Sequence, residues 1–342
     1  MKTGNREGAT AAPAQIGDGM RRRDVIAGLA TLLVAPKRSS AQQAPAKLPR
    51  IGILPPAPRP DTGIFDAFRK GLADLGYIDG QNIRIEYRLS ARDFSRLSAM
   101  AEELVRLPVD VILADGLTVV IAQEATRTIP IIGGVGPDPV AAGLIESFAH
   151  PGGNVTGFSA FGVELSAKRL QLLKEACPAI SHVAALRNPA GPKSIRRATE
   201  EAACTVGAEL STIEVATPGQ IPSGLETAVA DGANALVVLP DAMFWNERGQ
   251  IVALAAKHRM PAIYPEREYV EEGGLLAYGS NVPDQWLRRA TYVDKILKGA
   301  KPGDLPIQQP VKFDFIINLK AAQALDLAIP PAILDLADEV IE

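Results

Sequence analysis

Seven short segments gather small, polar and aromatic residues where apolar, strand-like runs end. They are residues 55–61, Asp115-Gly116-Leu117-Thr118, Gly136-Pro137-Asp138-Pro139, Phe158-Ser159-Ala160-Phe161, Asn188-Pro189, Asp241-Ala242-Met243-Phe244 and Tyr278-Gly279-Ser280-Asn281. Groups of this kind recognise a molecule without changing it. Thr118 is placed to cap the helix that follows, which leaves N–H groups for a ligand carboxylate. Asp138 and Asp241 suit a ligand ammonium, and Phe158, Phe161, Phe244 and Tyr278 suit the wall around an apolar or aromatic moiety. Pro56, Asp61, Asp115, Gly116, Pro137 and Asn188 complete the candidate ligand-binding set. Each has a structural alternative: Asp is common in turns and caps, and a lone aromatic more often belongs to a core.

Covalent chemistry has little to stand on. The histidines are His150, His182 and His258. The first precedes a Pro-Gly-Gly turn, the second opens a strand, and the third ends a helix, where it favours the helix dipole. No two have metal-ligand spacing, and no GxSxG elbow, Walker loop or HExxH occurs. Gly133-Gly134-Val135-Gly136 lacks the third glycine of GxGxxG and runs into Pro137, so it reads as a tight turn. No catalytic residue, metal or cofactor is expected.

The segments must be positioned by alternating strands and helices. Strands are expected at 50–54, 83–87, 109–114, 129–133, 155–158, 182–186, 210–215, 235–239, 262–264, 275–278 and 313–317. Several are unbroken apolar runs, as in parallel strands covered on both faces. Ile64, Phe65, Phe68, Leu72 and Leu75 share one face of a first helix ended by Gly76. Leu165, Leu170, Leu172, Leu173 and Ala176 serve a later helix stopped by Pro178. The alternation implies a doubly wound α/β architecture, with ligands beyond the carboxyl ends of the strands. Residues 109–132 and 233–263 repeat one syntax: strand, Asp-bearing turn, helix, then a strand opened by X-Pro. Two similar lobes explain the echo, although any α/β chain repeats some of it.

Arg21-Arg22-Arg23-Asp24-Val25-Ile26, the charge-free run to Pro36 and Ser39-Ser40-Ala41 read as a twin-arginine export signal. Its apolar part is about half the roughly 20 residues of a membrane-spanning helix. Cleavage after Ala41 is expected, with Met1 or Met20 as the start and the periplasm as the destination. The remaining chain holds 29 Lys and Arg against 36 Asp and Glu, a net charge of −7. That acidic body argues against nucleic acid or an anionic membrane as partner. Cys177 and Cys204, both on expected helices, read as two buried thiols rather than a disulfide.

The chain also resembles a family. The resemblance is carried by Ile51-Gly52-Ile53-Leu54, Phe68-Arg69-Lys70-Gly71-Leu72, Leu75-Gly76-Tyr77-Ile78-Asp79-Gly80-Gln81-Asn82-Ile83, Pro151-Gly152-Gly153-Asn154-Val155-Thr156-Gly157 and Lys168-Arg169-Leu170-Gln171-Leu172-Leu173-Lys174-Glu175. It continues through Pro261-Ala262-Ile263-Tyr264, Gly273-Gly274-Leu275, Tyr278-Gly279, residues 290–302 and residues 313–320. From about residue 48 onward these segments look like the ABC-transporter substrate-binding proteins of the TrpX-like group. The resemblance implies a type I periplasmic-binding-protein fold: two doubly wound Rossmann-like lobes joined by a three-crossover hinge. Crossovers would fall near residues 158–162, 278–283 and 309–312, and a helix over 285–297 would belong to the first lobe. Lobe 1 would be 48–158 with 281–309, and lobe 2 would be 159–280 with 310–342. Hinge closure would capture a small solute, an amino acid or related small carboxylate, and a monomer would deliver it to an inner-membrane ABC permease. A sensor module presenting to a membrane receptor and an exported α/β enzyme are the competing classes.

Overall fold

The computed structural model describes residues 48–54, 63–90, 93–136, 138–159 and 162–342. The export segment and the candidates Pro56, Asp61, Pro137 and Phe161 lie outside the described residues. The first part of the chain runs β1 (Arg50–Leu54), α1 (Gly63–Asp74), β2 (Arg84–Tyr87), α2 (Leu97–Arg106), β3 (Val111–Asp115), α3 (Leu117–Ala125), β4 (Ile131–Val135) and β5 (Val155–Ser159). These strands form one parallel sheet in the order β2-β1-β3-β4-β5. Leu97, Leu104 and Val119 of α2 and α3 cover one face, and Phe65, Phe68 and Leu72 of α1 cover the other. Burial on both sides is the reason the strands are continuous apolar runs.

The chain then builds a second sheet. It runs α4 (Gly162–Ala176), β6 (His182–Arg187), α5 (Lys193–Val206), β7 (Glu209–Glu214), α6 (Ile221–Ala230), β8 (Ala235–Val238), α7 (Ala242–Asn246), α8 (Arg248–Lys257), β9 (Ala262–Tyr264), α9 (Arg267–Glu271) and β10 (Leu276–Ser280). Next, α10 (Val282–Leu297) returns to the first sheet, where Trp286, Tyr292 and Val293 join Phe65 and Phe68 in one core. Finally β11 (Phe313–Asn318), α11 (Leu319–Ala324), α12 (Pro331–Leu334) and β12 (Glu339–Ile341) complete the second sheet. Its order is β12-β11-β10-β9-β8-β6-β7, with β11 antiparallel to β10. The molecule is thus α/β, with two mainly parallel, doubly wound lobes.

The three connections between the sheets are tied to one another. The Ser159 N–H donates to the Gln308 carbonyl at 2.9 Å, and the Gln308 N–H donates to the Gly157 carbonyl at 2.8 Å. The Asn281 N–H donates to the Lys312 carbonyl at 3.0 Å, and its side-chain amide donates to both Asp314 oxygens at 3.1 and 3.0 Å. Asn281 also caps α10, accepting from the Asp284 N–H at 2.7 Å. That cap, with Pro283 in the first turn, starts the helix at Val282 rather than 285.

Several expectations change. Strand β4 runs on past the expected end at Gly133, so Gly134 and Val135 are strand residues, not part of a tight turn. Leu75 lies just past α1 and is exposed, so the buried stripe ends at Leu72. Cys177 is buried as expected, but Cys204 is exposed on α5; both thiols are free. The strand β12 was not expected, because its sequence has no apolar run to signal it. Among the described residues, no helix is long and apolar enough to cross a membrane.

Candidate functional site

The candidates on the first sheet follow β3, β4 and β5. Asp115 closes β3, and its carboxylate accepts from Arg289 Nη1 at 3.0 Å and Nη2 at 2.5 Å. Arg289 is almost fully buried on α10, and its guanidinium lies 4.2 Å from the centroid of the Trp286 ring. A cation removed from water needs such a partner. Gly134 makes room for it: a Cβ there would stand 2.0 Å from Asp115 Oδ1. Asp115 therefore anchors α10, with only part of its side chain left exposed.

Gly116, at φ 53°, occupies the cap position of α3. Thr118, expected to cap this helix, is instead inside its first turn and fully buried. Its hydroxyl accepts from the Asp115 N–H and donates to the Asp115 carbonyl, both at 2.9 Å. Thr118 thus locks the turn that presents Asp115. The neighbouring Leu117 projects into solvent at 60% exposure, as does Val140 after β4 at 46%. Neither was singled out from sequence, and no local signal separates them from core residues. Asp138 is exposed, and its carbonyl closes the turn by accepting from the Ala142 N–H at 3.0 Å.

Two expected cleft aromatics belong to the core. Phe158 is fully buried 5.4 Å from the Tyr292 ring, because β5 is covered by α10. Phe244 is fully buried in the second lobe, because α7 turns that face toward β8 and α8. Tyr278 stays partly exposed, with its ring beside Phe313 and Phe315.

The polar candidates on the second sheet sit at adjacent strand ends. Asn188 follows β6, and its side chain lies near the carboxylate of Asp241, which follows β8, and favours its charged form. Asp241 also caps α7, accepting from the Met243 N–H at 2.8 Å. Burial raises its carboxyl pKa against these contacts.

Two further candidates, Arg169 and Glu266, are not among those read from sequence. Arg169 lies on the buried face of α4, 2% exposed, with Nε donating to the Tyr278 carbonyl at 2.7 Å and Nη1 without a partner. Its signal was present: positions 165, 169, 172 and 176 form one helical stripe, and only 169 is charged. Burial lowers its pKa to about 10. Glu266 follows β9, between the ends of β8 and β10, and its buried Oε2 has no partner. Burial pushes its carboxyl up to about 8, with Glu268 and Asp241 adding and Arg169 and Arg248 opposing. Among the described residues no group of His, Cys, Asp and Glu could hold a metal ion.

What this arrangement offers is non-covalent: two sets of strand ends, one with an exposed apolar lip and one with a buried polar cluster. A sequence profile described as ABC transporter substrate binding protein matches residues 61–341. A tyrosine-binding protein of Clostridioides difficile (strain R20291) is 28% identical over 264 residues, 76% of this chain and 75% of that protein. An ABC domain from Streptococcus pneumoniae in complex with L-Trp is 27% identical, with a TM-score of 0.79 over 86% of this chain and 99% of that one. A ligand-free, open substrate binding protein with adhesive properties from Clostridium difficile is also 27% identical over the same shares, but its TM-score is 0.64. The fold here therefore superposes better on the tryptophan complex than on that open form.

Proposed function

The chain belongs to the ABC transporter substrate-binding proteins, and we propose that it captures an amino acid, or a related small carboxylate, between its lobes for delivery to an inner-membrane permease. The single observation that carries this reading is the match to a tryptophan-bound structure across 86% of the chain, with polar strand ends on both sheets here. Asp115, Gly116, Asp138, Asn188, Asp241 and Tyr278 are the described residues we assign to the rim and floor of the cleft. Thr118 supports it from below. Pro56, Asp61, Pro137 and Phe161 belong to the same strand-end loops by sequence. Lobe 1 is taken as 48–158 with 281–309 and lobe 2 as 159–280 with 310–342.

Closure about the three tied connections would exclude water from the solute. A periplasmic working place is part of this reading; the twin-arginine-like sequence around residues 21–41 and the family membership support it. The test is calorimetric titration of the purified protein with L-tryptophan, L-tyrosine, branched amino acids and small carboxylates. Saturable binding of one class is expected. A folded protein that binds none of them overturns the reading.

A further inference from the structure

Three buried polar atoms without partners cluster around the turn from β9 to α9: Glu266 Oε2, Arg169 Nη1 and Tyr269 Oη. Buried polar atoms are almost always hydrogen-bonded, so a cluster of exceptions needs an explanation. Glu266 lines a cavity shared with Arg267, Glu268, Gly279, Ser280, Val282 and Asp314, where β10 passes into α10. Its volume is about 20 Å³, room for one water-sized group. Arg169 borders the same place. Its Nη2 lies 3.8 Å from where Gly279 would carry a Cβ, and that Cβ would strike the Pro265 carbonyl at 1.9 Å. Gly279 is thus what lets strand and guanidinium close around the cavity.

We propose that Glu266 is the residue that receives the ammonium group of the bound solute, with Arg169 as the buried counter-charge that positions its carboxylate. This rests on the amino-acid reading above. An ammonium has the size and hydrogen-bonding reach of the single water this cavity admits. Asp241, which with Asp138 is favoured by sequence for the role, already accepts from the Met243 N–H as the cap of α7. Glu268 lies beside the Trp245 indole, which favours its carboxylate form. Glu266 keeps an oxygen with no partner.

The charged and titratable groups facing Glu266 or lining its cavity are Arg169 of α4, Asp241 beyond β8, Arg248 of α8, Arg267 and Glu268 of α9 and Asp314 of β11. Arg267 is paired with Glu271 and Glu339, and Asp314 accepts from Asn281. Tyr269 of α9 completes that shell. Arg248 is engaged with Glu272 at 3.3 Å. Carboxyls thus exceed the guanidiniums left to balance them. The crowding and the burial keep Glu266 protonated near neutrality in the free protein. An arriving ammonium stabilises the carboxylate, so binding expels that proton to solvent.

The test is calorimetry at pH 7 in phosphate and in Tris with L-tyrosine, L-tryptophan and their desamino analogues, 3-(4-hydroxyphenyl)propionate and indole-3-propionate. The wild-type protein should release about one proton per amino acid bound and almost none with the analogues. The isosteric E266Q should weaken both amino acids by at least about tenfold, abolish the proton release and leave the analogues unaffected. Thermal melting confirms that the variant is folded. Equal weakening of amino acids and analogues, or unchanged amino-acid binding, overturns the assignment while the amino-acid reading stands. If the wild type prefers another amino acid of the wider panel, that amino acid and its desamino analogue take the same comparison; failure to bind any member of the panel overturns both.

Discussion

Arg289 reaches across 174 positions of sequence to bond both carboxylate oxygens of Asp115. The pair ties the end of β3 to the helix that enters the first lobe after the second crossing. With Asp115 neutralised, Arg289 would be left as a buried, uncompensated cation, 3% exposed at its side chain. Breaking such a pair by removing one partner costs about 3–5 kcal/mol. D115A should therefore lose about that much in urea denaturation. G134A should also destabilise, because its methyl would stand 2.0 Å from Asp115 Oδ1 and 2.9 Å from Arg289 Nη2, forcing the pair apart without removing either charge. Stability within error of wild type for both variants would show that the pair contributes nothing to the fold.

Thr118 tests the turn beside it. Its buried hydroxyl serves both the N–H and the carbonyl of Asp115. T118V keeps the shape and removes both bonds, so a loss of about 1–3 kcal/mol is expected. If Asp115 lies on the cleft rim, the same variant should weaken solute binding. Because Thr118 has no exposed surface, the effect should follow loosened geometry rather than a lost contact. Unchanged denaturation midpoints would show that the turn holds without the hydroxyl.

How far the sequence was legible depended on whether burial and polarity agreed. The parallel strands were readable because both faces of each sheet are covered, which writes continuous apolar runs such as Val111 to Ala114 and Ala235 to Val238. Gly134 misled because glycine signals a turn unless a neighbour's position is known. Here Asp115 and Arg289 occupy the space a side chain would fill beside Gly134. Arg169 and Arg289 were missed for a related reason. A search for apolar stripes skips a charge inside the stripe, although a guanidinium there marks a site needing a partner. Phe158 and Phe244 sit at strand ends by number, yet α10 and α8 cover them. Sequence position gives the layer of a residue but not which face its neighbours close.

The cysteines divide by exposure. Cys204 is exposed, while Cys177 is buried and its thiol is pushed up to about 11 by burial. Thiolate is the reactive form. In native buffer at pH 8, one thiol per chain should react with a disulfide reagent, and C204S should abolish that signal. The second should appear only on unfolding. Rapid modification of both thiols in the folded protein would contradict the burial of Cys177.

Asn281 joins two crossings and caps a helix with one side chain. Its oxygen accepts from the Asp284 N–H, while its amide donates to the Asp314 carboxylate. N281A removes both, and the cap alone is worth about 0.5–2 kcal/mol. N281D keeps the cap acceptor but places a second carboxylate against Asp314. If closure pivots on these crossings, N281D should alter solute association and release rates in stopped-flow measurements more than its stability loss predicts. Identical rates for wild type and variant would place the pivot elsewhere.

Glu266 gives the folded protein a pH dependence of defined sign. Burial, with Glu268 and Asp241 nearby, holds its carboxyl at about 8, against an ordinary value of 4.5. The folded state therefore binds this proton more tightly than the unfolded chain does. Its contribution is fully present below about pH 4.5 and is lost as pH rises through about 8, because folding then forces an ion into a poorly solvated place. Other carboxylates with lowered values, such as Asp294 beside Lys298 and Glu339 beside Arg267, act in the opposite sense at lower pH. The difference between wild type and E266Q isolates the Glu266 part. E266Q should gain stability relative to wild type as pH rises from 5 to 9, read from urea midpoints in the absence of solute. A difference that stays flat across that range would mean that Glu266 ionises as an ordinary surface carboxylate.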